Sequence, residues 1–260
     1  MFKRTLTSLI ALMILNSTAN ADRLEDIQNS GFLKAGVKYD FKPFGFIDKS
    51  GEVVGFDIDL LKYIANDLNV DIKFEQVTSK TRIPLVANGQ IDIAAASMTH
   101  KVDRDKTIDF SISYFFDGQS MLVRRDEKRS TAQAFKGKKI GAIQGATSGE
   151  NFKKVSPQAK IIYFQEYPQA INALLRKKID AITTDLVWCS TQAIDSKGKL
   201  KVTGGTLSIE PYGMGVPENE SNFKDAINFA IQKSVKDGTY RKLYKKWFNE
   251  NPKRLPELWP

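Results

Sequence analysis

The chain has 260 residues, 42% hydrophobic and 27% charged, and a formal net charge of +9 at pH 7. That size is ample for a hydrophobic core, and the lysines are scattered along the chain rather than gathered into a nucleic-acid patch. One cysteine and one histidine exclude an internal disulfide and leave no histidine pair for catalysis or metal binding.

From the amino terminus, Lys3 and Arg4 precede an apolar run from Leu9 to Leu15 and then Asn-Ser-Thr-Ala-Asn-Ala21, the layout of a secretory signal. The run is too short to span a bilayer, so cleavage is expected after Ala21 and a soluble product is expected in a periplasm. Without Lys3 and Arg4 the mature chain keeps 37 basic against 30 acidic residues.

Phe32-Leu-Lys-Ala-Gly-Val37 reads as the first strand. After the turn signal Asp48-Lys-Ser-Gly51, the residues Phe56, Leu60, Leu61, Ile64, Ala65 and Leu68 recur at helical spacing, with Asp57 available as an amino-terminal cap. Ile72, Phe74 and Val77 mark a strand, Ile83 to Ala87 a short helix, and Ile91 to Ala96 the next strand. Ser97 and Thr99 would emerge at its carboxyl end, where open α/β sheets bind ligands, and Arg104 follows at close range. A guanidinium grips a carboxylate with two parallel hydrogen bonds, and hydroxyls can complete the remaining lone pairs.

A second set of elements begins near Phe135, with strands at Ile140–Gln144, Lys160–Phe164 and Ile179–Thr183. Between Gly141 and Asn151 a strand meets a glycine turn and a helix start that carries Thr147; backbone N–H groups in such a place bind anions. The phosphate-loop ending Gly-Lys-Ser/Thr is missing. Ile83 to Ala94 and Ile171 to Ile182 share one grammar of helix, polar break and a strand opening Ile-Asp, which suggests two lobes of like construction. The second of these strands ends in Thr183, Thr184 and Asp185. Cys189, beside Trp188, reads as a buried structural thiol. Phe223, Ala226, Ile227, Ala230 and Ile231, then Tyr240, Leu243, Tyr244, Trp247 and Phe248, are helical faces that need a sheet to cover.

Five segments in this order resemble the periplasmic solute-binding proteins of amino-acid importers, family 3. They are Gly36–Phe44, Val54–Leu60, Ile91–Ser111, Ile143–Thr147 and Asp237–Phe248. The resemblance implies an α/β, two-lobed type II periplasmic-binding-protein fold, each lobe a mostly parallel sheet flanked by helices, joined by two crossing strands. It places the signal peptide at 1–21, the first lobe at 22–115, the second at 116–210, and a return to the first at 211–260. It implies a monomer that closes on one L-amino acid and docks on an ABC transporter permease, with no cofactor, no metal and no nucleic acid.

By position, the resemblance assigns the ligand α-carboxylate to Arg104, Ser97, Thr99 and Thr147, and the α-ammonium to Asp185. Lys38, Ser79 and Arg82 resemble the glutamate and aspartate binders, and two cations aimed into a cleft would favour an acidic ligand; glutamine is the alternative if Lys38 turns outward. Phe41 stands where the family places an aromatic against the ligand's carbon chain, Tyr167 can add a hydroxyl, and Phe44 reads as core. Some relatives of the fold are dehydratases, but no nucleophile–base pair is visible here, and His100 is expected only to border the site.

Overall fold

The computed structural model describes residues 22–257. The expected signal segment, 1–21, lies outside the described residues.

Two five-stranded sheets carry the chain. The first is ordered Asp71–Gln76, Phe32–Val37, Ile93–Ala94, Gly215–Val216, Asp109–Phe110; the second is ordered Lys160–Phe164, Lys139–Ile143, Ala181–Asp185, Phe115–Arg124, Leu200–Tyr212. In each sheet the first three strands run parallel, and the fourth in order runs against them and against the fifth. Four of five strands in each sheet therefore share a direction, the pattern that helical crossovers impose. Their ends turn the lobes' loops toward a common cleft.

Phe115–Arg124 and Leu200–Tyr212 are the crossing strands. They pair antiparallel from Phe115 opposite Tyr212 through Asp117 opposite Glu210 to Gln119 opposite Ser208, with an irregularity between Thr203 and Ser208. A small sheet of Asp40–Phe41, Gly45–Ile47 and Val53–Val54 projects from the first lobe. Nothing in the strand periodicity foretold it, because two- and three-residue strands are too short to show a period.

The helix Phe56–Asp67 buries Phe56, Ile58, Leu60, Leu61, Ile64 and Ala65, the stripe its spacing predicts. Ser221–Lys236 and Thr239–Phe248 cover the same lobe. Phe248 of the last helix and Phe44, just before Gly45–Ile47, meet the hinge: their ring centroids lie 5.0 and 4.9 Å from that of Phe115, and Phe115 stacks on Tyr212 at 5.7 Å. Burying a ring such as Phe44 or Phe115 stabilises the fold by about 1.5–3 kcal/mol, so the root of the crossing strands is firmly held on the first-lobe side. Phe44 belongs to this core, and Cys189 is buried with its thiol near Thr184 O at 3.8 Å.

Candidate functional site

Lys38 follows directly on the strand Phe32–Val37 and is 3% exposed. Its ammonium sits 4.0 Å from the Phe41 ring centroid and 5.1 Å from that of Tyr167. Phe41 and Tyr167 come from opposite lobes, lie 4.8 Å apart, and share Trp188 as a third wall. Burial, and then the Arg82 cation, pull the Lys38 pKa down to about 7, against the pull of Asp40, Asp185 and Asp57.

Arg82 opens the helix Arg82–Ala87 and is 2% exposed. Its Nη1 donates to the carbonyls of Ala96 and Ser97, and burial lowers its pKa. This guanidinium shapes the turn after the strand Ile93–Ala94. Ser97 in that turn takes a left-handed conformation, φ +50°.

Asp57 is not the helix cap that its position suggested. Gly55 occupies the cap, and the Asp57 carboxylate reaches across to Ser97 N at 3.2 Å, Ser97 Oγ at 3.4 Å and the Tyr114 hydroxyl at 2.9 Å. Burial raises its pKa to about 6, with the Tyr114 and Ser97 hydrogen bonds opposing. Ser97 is thus held from below by Asp57, and its hydroxyl is engaged there.

Arg104, in the short helix Val102–Asp105, donates to Thr99 O at 2.7 Å and, across the cleft, to Gly145 O at 2.8 Å. Burial, then Arg82, lower its pKa to about 9, while Glu210 and Asp185 act the other way. A guanidinium has five N–H donors, so three remain for a ligand. The Thr99 hydroxyl donates to Glu210 Oε2 at 2.6 Å and the Thr147 hydroxyl to the same oxygen at 3.1 Å. Each hydroxyl has a single proton to give, and both give it to Glu210 rather than holding it for an incoming carboxylate. Thr147 also precedes the helix Ser148–Val155, whose first N–H groups have no intrahelical acceptor and face anions favourably.

Asp185 ends the strand Ala181–Asp185 and stands at the N-cap position of the helix Leu186–Asp195, yet its side chain makes no cap bond. Asp117 from the crossing strand takes that task, accepting from Val187 N at 3.3 Å. Asp185 instead accepts from the Thr184 hydroxyl at 3.1 Å, and Thr184 in turn meets the Tyr167 hydroxyl at 3.0 Å. Burial, and then mutual repulsion between the two carboxylates, raise the Asp117 pKa; burial also raises that of Asp185, opposed by Lys38.

The lobes touch across the cleft. Tyr167 N donates to Asp40 at 3.1 Å, Lys42 pairs with Asp195 at 2.9 Å, and Lys101 lies 3.7 Å from Glu150. Gly145, at φ +79°, packs against the Ser79–Lys80 backbone so tightly that a Cβ there would fall 2.4 Å from Ser79 O. Ser79 Oγ and Arg82 Nε are buried with no hydrogen-bond partner among the described residues. On the Arg104 and Thr147 side a cavity of about 330 Å³ opens, lined also by Lys101, Gln144, Glu150 and Tyr163. His100 stacks on Phe110 at 4.5 Å and turns to Asp105.

All ten residues singled out from the sequence therefore converge on one cleft, three cations from the first lobe facing Asp185 from the second. The sequence reading missed Asp117 and Glu210, whose Asp-Gly and Glu-Pro settings look like ordinary turns, and it misassigned Asp57. A cleft with a partly free guanidinium and helix N-terminus at one end and a carboxylate at the other can hold a small zwitterion.

Known proteins resemble this chain along its length. The glutamine-binding protein GlnH of the ABC transporter of Bacillus subtilis (strain 168) is 38% identical, over 96% of this chain and 98% of its own. The glutamine-binding protein of Geobacillus stearothermophilus is 39% identical over 80% of each. An ancestral arginine-binding protein bound to glutamine superposes with a TM-score of 0.82 at 38% identity, covering 85% of this chain and 99% of that one. The description of the bacterial extracellular solute-binding proteins, family 3, matches residues 33–250, and the chain belongs to that family.

Proposed function

We propose that this protein binds a neutral polar L-amino acid, glutamine foremost, between its lobes and delivers it to the membrane permease of an ABC importer. The observation that carries the reading is the balance of charge in the cleft. Lys38, Arg82 and Arg104 feel the opposing charge of Asp57, Asp185 and Glu210, all on cleft or hinge elements. Arg82 gives Nη1 to two backbone carbonyls, and Lys38 lies among Asp40, Asp57 and Asp185.

The acidic ligand that Lys38, Ser79 and Arg82 suggested would bring a second carboxylate to cations already compensated. Glutamine brings a zwitterion and an uncharged amide, which needs hydrogen bonds rather than net charge. Resemblance to glutamine-binding relatives supports the same choice. In this reading Arg104 and the helix start at Thr147 take the α-carboxylate, Asp185 takes the α-ammonium, and Lys38, Ser79 and Arg82 border the amide. Phe41 and Tyr167 form the wall beneath Lys38.

Calorimetry with the common amino acids tests this. Glutamine should bind in the micromolar range or tighter, with glutamate at least about tenfold weaker. Tight glutamate binding with weak glutamine binding would return the site to the acidic class. Recovery of the amino acid unchanged after prolonged incubation distinguishes a carrier from a dehydratase.

A further inference from the structure

Glu210 is 2% exposed on the return crossing strand and has no place in the ligand assignments above. Its carboxylate accepts four donors. Thr99 and Thr147 share Oε2 at 2.6 and 3.1 Å, and Asn151 and Ser208 share Oε1 at 3.0 and 2.5 Å. A carboxylate offers about four lone-pair sites, so this one is filled. Thr99 belongs to the first lobe; Thr147 and Asn151 belong to the start of the second-lobe helix Ser148–Val155. Glu210 itself pairs with Asp117, and two residues later Tyr212 bridges to Thr99 at the point where the chain re-enters the first lobe.

We propose that Glu210 is a latch on the hinge: one carboxylate that collects Thr99 from the first lobe and Thr147 and Asn151 from the second, and so sets how long the lobes stay shut. Because Glu210 sits on a strand shared by both lobes, a swing of either lobe carries away one donor set and leaves the other. Hydrogen bonds to an ionised acceptor are roughly twice as strong as neutral ones, so the loss falls on opening rather than on encounter. Glu210 is thus a positioning residue whose effect belongs in the dissociation rate. Only the ligand arm of the test rests on the amino-acid reading.

Spin labels on Ser50→Cys in the first lobe and Lys177→Cys in the second, both exposed, report the distance between lobes while Cys189 stays buried and unlabelled. In Glu210→Ala a longer-distance population should appear without any added amino acid, and glutamine should dissociate roughly tenfold to hundredfold faster at a nearly unchanged association rate. Asn151→Ala, which removes one donor from a half-buried position, should shift the same two readouts in the same direction by a smaller factor. Unchanged distances in both folded variants would overturn the latch, as would a change in melting temperature with none in distance. Should the unsubstituted protein bind no amino acid, the proposed function fails, while the ligand-free distances still decide the latch.

Discussion

Ile91-Asp92 in the first lobe and Ile179-Asp180 in the second make the same contacts. Asp92 accepts from Lys34 N at 2.7 Å and Asp180 from Lys139 N at 2.9 Å, each bracing the backbone of a neighbouring parallel strand. The next pairs follow in one register: Ala35 with Ile93 and Gly36 with Ala94, then Ile140 with Ala181 and Gly141 with Ile182. Beneath each isoleucine lies a glycine, Gly36 under Ile91 and Gly141 under Ile179, where a Cβ would come within 2.5 and 2.6 Å of the isoleucine Cδ1. Five residues beyond each aspartate the likeness ends, with left-handed Ser97 in one lobe and the carboxylate of Asp185 in the other. One scaffold used twice carries opposite charges at its two mouths, and that opposition is what a zwitterion needs.

Removing one charge from each mouth is the strongest way to break this comparison. Arg104→Ala and Asp185→Asn should each weaken amino-acid binding by a hundredfold or more, since each strands a charged partner in a water-poor cleft; calorimetry showing near-normal affinity in either would end the division of labour. Gly145→Ala comes next. Its Cβ would collide with the Ser79–Lys80 backbone, so affinity should fall about tenfold and small-angle scattering should report a larger radius with ligand present. Gly137→Ala is the control: its φ is +73° but a Cβ would meet nothing within 4 Å, so it should cost about 1 kcal/mol of stability and leave binding alone.

The shared scaffold itself is tested by Asp92→Asn and Asp180→Asn. Each should lower stability by about 1–2 kcal/mol, a few degrees in a melt, with affinity unchanged. Asp92 is the more buried and should show the larger drop.

The last effect concerns pH. The Lys38 pKa is about 7 in the folded chain against 10.5 for the free side chain. Between those values the unfolded chain binds the extra proton, so this group makes stability rise as pH rises from about 7 to 10.5. Lys38→Met should therefore melt about 10 °C higher than the unsubstituted protein at pH 6, a difference that closes toward pH 10. A gap that persists at pH 10 would place the Lys38 effect in packing instead of charge.

Most of the longer regular elements were legible in the sequence through local periodicity, although the strand read at Ile91–Ala96 is only Ile93–Ala94 and the one read at Ile179–Thr183 runs Ala181–Asp185. Phe32–Val37 and Lys160–Phe164 end where the residue pattern says, and the stripe of Phe56–Asp67 faces the core as spaced. The repeated Ile-Asp was legible as well, although its reason, a side chain accepting a backbone N–H of the neighbouring parallel strand, was not. Ser97, Thr99, Arg104, Thr147 and Asp185 could be brought to one cleft because strand ends in an α/β sheet share an edge.

The amino-acid order by itself determined the two α/β halves and the polar ends of their strands, since hydrophobic period and turn residues act over a few positions. Only the tertiary structure decided which charges answer which. Asp57 leaves its cap for Ser97, Asp117 takes over the helix that Asp185 begins, and Glu210 draws the two threonine hydroxyls to the hinge. A buried charge takes as partner whatever group the fold brings within about 3 Å. Thr99 and Glu210 are 111 positions apart in the chain, so no local pattern could have paired them.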